Sequence, residues 1–188
     1  MKLPEGEERF TFDTYDLHVL DRWLISKSNK TFKRAKDYLE DYQNHKAAQV
    51  LEEFVVKDLS TWYIRRIRNR VGPTAPDGED KFNAYQTLYS VLIRLTKVLS
   101  PFIPFLTEEM YQILMEPQKV RGEKSDVFGK LDSVHLTSWP KYHDYLTDED
   151  VLAKMEIVRE VCEKGHAARR EAGIRVRQPL QKLAITKF

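Results

Sequence analysis

The stretch "AAQVLEEFVVKDLSTWYIRRIRNRVGP", residues 47–73, decides the fold. Ala47, Leu51, Phe54, Val55 and Leu59 recur at helical spacing, so one side of this segment faces a core. Asn44 stands where it can cap the helix, which the spacing predicts over residues 45–71. Gly72-Pro73 ends it. Just after Trp62 and Tyr63 come Arg65, Arg66, Arg68 and Arg70, four fixed positive charges within six positions.

The neighbouring segments are helical too. On the N-terminal side, Leu20, Trp23, Leu24, Phe32, Ala35, Leu39 and Tyr42 form an amphipathic pattern over residues 20–42. On the C-terminal side "GPTAPDGED" reads as loop, and Leu88, Val91, Leu92, Leu95, Val98 and Leu99 predict a helix over residues 80–99. Pro101 stops that helix, and Pro104 suits the first turn of the next, which is expected to reach Met115.

The polar run "EPQKVRGEKSDVFGKLD" reads as a surface loop before an extended "SVHLTSWP". Thr147 and Asp150 form a weak capping box for a long last helix, with Leu152, Met155, Val158, Cys162 and Gly165 on one stripe. Gly173 can supply the left-handed residue after it. "IRVRQPLQKLAI" then alternates apolar and polar residues as a half-buried strand does. The expected fold is all-α, a bundle of about five helices with a short C-terminal β appendage.

The chain has 188 residues, 41% hydrophobic and 32% charged, a globular mixture. Its net charge is only +2, so an argument for a polyanionic partner rests on where the charges sit. Cys162 is the single cysteine, which excludes a disulfide framework within the chain and points to a reducing, cytoplasmic compartment. The sequence shows neither a signal peptide nor an apolar run of membrane-spanning length, so no membrane partner is expected.

A wheel at about 100° per residue places Arg65, Trp62, Arg66, Arg70 and Tyr63 within an arc of roughly 160°, opposite Ile64, Ile67 and Val71. Arg68 borders the arc. Guanidinium groups bind phosphate in pairs of hydrogen bonds and stack on bases, and an adjacent ring adds a stacking surface. That combination suits an unpaired RNA loop. The alternative is an ordinary helix C-terminus, where cations are favoured by the helix dipole and Trp62 and Tyr63 are core. A second cluster, Arg169, Arg170, Arg175 and Arg177, falls around Gly173.

No catalytic residues emerge. His18, His45, His135, His143 and His166 lack the spacing of a zinc site, and no glycine-rich phosphate loop is visible. Cys162 reads as a small core residue. Asp58 falls on the apolar line of its helix and reads as a buried partner for an arginine or lysine.

The segments "LDRWLISKSNK", "AAQVLEEFVVKDLSTWYIRRIRNR", "LSPFIPFLTEEMYQIL", "VHLTSWP" and "REAGIRVRQPL", in this order, resemble the helical anticodon-binding domain of class I isoleucyl-tRNA synthetases. The valyl group is similar in the Asp21-Arg22-Trp23 opening and the Pro101–Glu109 stretch, but the arginine series and "AGIRVRQPL" favour isoleucine.

The resemblance implies residues 1–19 as a lead-in from an upstream domain, 20–172 as the anticodon-binding bundle and 173–188 as the start of a further β-containing region. The partners it implies are the anticodon stem-loop of tRNA(Ile) and a catalytic domain in cis, in a monomer. It also implies ATP and magnesium for the full-length ligase, with no cofactor or metal in this piece. The HIGH-type and KMSKS-type motifs of the catalytic domain are absent, so this chain alone is expected to be inactive. Trp62, Arg65, Arg66, Arg68 and Arg70 are the expected RNA contacts, with Trp62 either a stacking platform or a core anchor. Arg169, Arg170, Arg175 and Arg177 form the second contact. Asp21, Arg22, Trp23, Pro101, Phe102, Pro104 and Phe105 are expected to build the bundle and its junction with the catalytic body. The competing reading is a helical protein-interaction domain.

Overall fold

The computed structural model describes residues 17–120, 133–182 and 184, and the first helix among them is α1, Val19–Glu40. The chain divides after Glu149 into two compact units. In the first, α1 packs on a second long helix that runs without a break from Asn44 to Val71. That helix has three parts: α2 (Asn44–Glu53), a π-helical segment (Phe54–Ile64) and α3 (Arg65–Val71). Then follow α4 (Glu79–Leu99), which packs on α1 and α3, and α5 (Pro104–Val120), which packs on α4. The second unit consists of α6, Glu149–Glu171, from Asp150 onwards, and the turns after it. Five long helices are therefore present among the described residues, as the periodicity predicts.

The wide gap between Leu24 and Phe32 in the apolar pattern of α1 is filled by polar residues that are themselves buried. Ser26, Ser28 and Asn29 are 1%, 0% and 0% exposed. Asn29 Nδ2 donates to the His143 carbonyl and to Thr147 Oγ1, both at 2.8 Å, and Ser26 Oγ accepts from the Asp148 backbone N–H at 3.0 Å. Ion pairs Arg22–Asp148 and Lys30–Glu149 continue the seam. These bonds lay residues 143–149 along α1, with Leu17, Ile25 and Leu146 closing an apolar cluster beside them. Phe32 meets Phe54 edge to face, with centroids 5.6 Å apart, and joins α1 to the second helix.

On α4 burial runs round most of the last half, including Arg94, which is 1% exposed. Its Nη2 donates to Asn29 Oδ1 and to the Lys141 carbonyl, both at 3.2 Å. Ile93, Tyr111, Met115 and Val134 form a second cluster between α4, α5 and a single 3-10 turn, Val134–Leu136.

Several expectations are corrected. Gln43, not Asn44, is the N-cap of the second helix, and its side chain makes no capping bond. Gly72-Pro73 does end that helix, with Gly72 in extended backbone, φ −64° and ψ 163°, which a following proline favours. Helix α5 continues past Met115 to Val120, so the first part of the expected loop is helical, and residues 121–132 lie outside the described residues. The expected extended piece contains the 3-10 turn, because Ser133 Oγ accepts from the His135 N–H at 3.2 Å.

On α6, Val151 and Met155 are buried, whereas Val158 is 48% exposed and Cys162 is half-buried, so the expected stripe holds only at its start. Phe105, expected at the bundle or its junction with a catalytic body, is 90% exposed at the bundle surface, which leaves that expectation open. Gly173 takes φ +66°, as expected. No strand forms among the described residues, so the β appendage is not present there. A strand needs a ladder partner, and the backbone carbonyls of Arg175, Val176 and Gln178 accept instead from Arg169 Nη1 at 3.0, 3.4 and 2.9 Å.

Candidate nucleic-acid interface

The arginine series is presented by α3, and its orientation is set one segment earlier. A π turn takes about 4.4 residues against 3.6 for an α turn. Across the eleven π-helical residues a wheel drawn at constant 100° therefore runs ahead by roughly half a turn. The buried residues Phe54, Asp58, Leu59, Trp62, Tyr63 and Ile67 follow the slower period. Tyr63 is thereby 0% exposed and Ile64 40% exposed, the reverse of the sequence-based wheel.

Beyond Ile64 the helix is α again, and the four arginines separate. Arg65, Arg66 and Arg68 are exposed. Arg70 turns to the core side beside Ile67, and its side chain is 12% exposed. Arg70 Nη1 and Nη2 donate to Asp21 Oδ1 and Oδ2 at 2.9 and 2.6 Å, while Nε and Nη2 donate to Asp80 Oδ2 and Oδ1 at 2.8 and 2.6 Å. Tyr63 Oη donates to Asp21 Oδ1 at 2.7 Å. One guanidinium thus ties the end of α3 to the start of α1 and the start of α4. Tyr85 Oη, donating to the Val71 carbonyl at 2.8 Å, adds a second tie from α4.

The electrostatics agree with this geometry. Burial, with the Asp21 carboxylate beside it, pushes the Tyr63 phenol far above its ordinary range. Burial works against the charge of Arg70, but the hydrogen bonds and charges of Asp21 and Asp80 outweigh it and hold the guanidinium more firmly protonated. The hydrogen bond from Arg70 keeps Asp80 below the usual carboxylate range.

Arg70 thus directs its donors to two carboxylates of the bundle. Trp62 is 8% exposed, which places it on the core side, and the Arg66 guanidinium lies over its ring with Cζ 3.2 Å from the centroid. Asp58 is 6% exposed and pairs with Lys27 Nζ at 3.7 Å, as the apolar line of its helix indicates.

In the second unit Arg170, Arg175 and Arg177 are exposed, whereas Arg169 gathers the backbone carbonyls of the turn. Asp80 and Arg94 carry no sequence signal for these contacts. Asp80 reads as a first-turn acid in a loop-to-helix junction, and Arg94 as an interruption of a leucine pattern. Among the described residues no three His, Cys, Asp or Glu side chains converge on a possible metal site. No described helix is long and apolar enough to cross a membrane.

The bundle thus fixes one arginine inside and leaves three exposed at a helix end, a local concentration of positive charge. Residues 21–184 match the model of the anticodon-binding domain of tRNA ligases, and the chain belongs to that family. Similar proteins include the isoleucine–tRNA ligase of Pyrococcus horikoshii, 39% identical over 165 residues, 88% of this chain and 14% of that protein. That of Methanothrix thermoacetophila is 39% identical over 171 residues, 91% of this chain and 15% of the relative. That of Clostridium novyi is 38% identical over 169 residues, 90% and 15% of the two chains. The chain thus spans about one-seventh of the length of these relatives.

Proposed function

We propose that this chain holds the anticodon stem-loop of isoleucine tRNA for a longer isoleucine–tRNA ligase, with the bundle of residues 20–172 as the anticodon-binding domain. The observation that carries the reading is the exposure of Arg65, Arg66 and Arg68 on a short helix whose fourth arginine, Arg70, is paired with carboxylates of the bundle. Guanidinium groups so placed donate paired hydrogen bonds to loop phosphates. Arg170, Arg175 and Arg177 supply a further phosphate contact from the second unit, and Arg70 and Arg169 shape the two surfaces.

Attachment of isoleucine, with ATP and magnesium, belongs to the rest of such a ligase, acting in cis as a cytoplasmic monomer. The described residues of this chain bring together no metal-ligand cluster, and no chemical step is assigned to them. This chain alone is expected to show no ATP–pyrophosphate exchange.

The test is fluorescence anisotropy with a labelled isoleucine-tRNA anticodon stem-loop and one bearing a valine anticodon, at two salt concentrations. Salt-sensitive binding that prefers the isoleucine loop supports the reading. Absence of binding at low salt by a chain shown folded by circular dichroism overturns it.

A further inference from the structure

Phe82 and Tyr85 stand three residues apart on one side of α4 and are 59% and 49% exposed. The next ring on that line, Tyr89, packs against the cluster of Ile93, Tyr111, Met115 and Val134, and its Oη donates to the Leu114 carbonyl of α5 at 3.0 Å. The line is thus covered from Tyr89 onward and open before it, at the end of α4 that adjoins α3. Tyr85 Oη donates to the Val71 carbonyl at 2.8 Å, and the Gly72 N–H donates to the Arg68 carbonyl at 3.0 Å. Tyr85 is therefore tied to the helical turn that carries Arg68. Among the described residues, Phe82 and Tyr85 stack on no other aromatic ring, and the exposed Arg65 and Arg68 form no ion pair. Of the acids around the start of α4, Asp77 and Asp80 are paired with Lys81 and Arg70, which leaves Glu79 against those two arginines.

We infer that Tyr85, with Phe82 beside it, is the stacking surface for one unpaired base of the bound loop, and that Arg65 and Arg68 take the phosphates next to that base. The inference rests on the RNA reading above and adds to it a base contact on α4. Single exposed apolar residues are ordinary on a protein surface, but here two rings on adjacent turns, one of them pinned by its hydroxyl, adjoin unpaired arginines. The charge decides the occupant. Covering these rings with an apolar protein face would draw the arginines out of water without partners, whereas an unpaired nucleic-acid strand offers planar bases to the rings and phosphates to the cations. A ring already held by its hydroxyl also has less freedom to lose on binding.

The experiment measures, by fluorescence anisotropy, the affinity of Phe82→Leu and Tyr85→Leu for the isoleucine-tRNA anticodon stem-loop and for loops with a single abasic site at each unpaired position in turn. Leucine keeps apolar bulk and removes the ring, and circular dichroism checks that each variant is folded. The wild-type chain is expected to lose about fivefold or more in affinity at one abasic position. Each leucine variant is expected to lose a comparable factor on the intact loop, little further on that abasic loop, and to keep the wild-type salt slope, because no charge changes. Tyr85→Phe, which keeps the ring and releases it from Val71, is expected to retain most of the affinity.

Two results overturn the inference and leave the RNA reading intact. Leucine variants that bind every loop as wild type does would assign the rings to another contact. Leucine variants that weaken the intact and all abasic loops by one common factor would make the rings supports of the α3 end and not a stacking surface. Failure of the wild-type chain to bind any loop at low salt overturns the RNA reading itself, and this inference with it.

Discussion

Arg70 reaches Asp21 across 49 positions of sequence and binds both oxygens of a carboxylate that is 0% exposed. The pair converts the last turn of the arginine series from a free end into a fixed edge of the bundle. It also fixes which of the four arginines is spent within the bundle.

Arg70→Ala is expected to destabilise the fold by about 3–5 kcal/mol, because it strands a buried carboxylate without its counter-charge. Asp80→Asn removes only the exposed partner and is expected to cost at most about 1 kcal/mol. Urea denaturation of the two variants checks the order, and equal costs would mean that Asp21 is not the anchor.

Arg65→Ala and Arg68→Ala are expected to leave stability within about 0.5 kcal/mol of wild type, since both side chains are exposed. Each is expected to weaken RNA binding and to lower the salt slope by about one unit. A stability loss comparable with that of Arg70→Ala would show that these residues, too, are built into the bundle.

Asn29 is 0% exposed and bonds to the His143 carbonyl, Thr147 Oγ1 and Arg94 Nη2. Asn29→Leu is expected to cost about 2–3 kcal/mol and to release residues 143–147 from α1, because the buried partners lose their hydrogen bonds. Hydrogen exchange over this segment measures the release.

Glu108 accepts from Gln112 Nε2, Ser133 Oγ and the Val134 N–H, all within 2.9 Å, and these bonds hold its carboxyl below the usual range. A lowered carboxylate pKa stabilises the folded state fully above the ordinary value of about 4 and progressively less as pH falls below it. Protection of the Val134 N–H is therefore expected to fall as pH drops below about 4. Glu108→Gln should lower protection at neutral pH and remove that pH dependence. An unchanged acid profile in the variant would assign the loss to another group.

Much of the bundle was legible in the residues. Periodicity located α1, the second helix and α4 because each has a continuous apolar face, and Pro101 and Pro104 marked the break between α4 and α5. Gly173 announced the left-handed turn after α6. The strand expected at residues 174–185 was a local pattern without a ladder partner among the described residues, and there Arg169 took carbonyls that a ladder needs.

The charge of the candidate site was legible. Four arginines beside two aromatic residues marked a cationic helix end, and the order of five segments named the family. Their division into one internal and three external cations was not, because a wheel assumes one helical period. The π-helical segment alters the phase by roughly half a turn, and local spacing does not encode that change. The sequence by itself determined the helices, the charge of this end and the family to which the chain belongs. Only the tertiary structure decided that Arg70 meets Asp21, that Arg66 lies on Trp62 and that Asn29 is buried. Those pairings depend on which distant segments are packed together, and burial makes an unpaired charge or amide costly enough to select them.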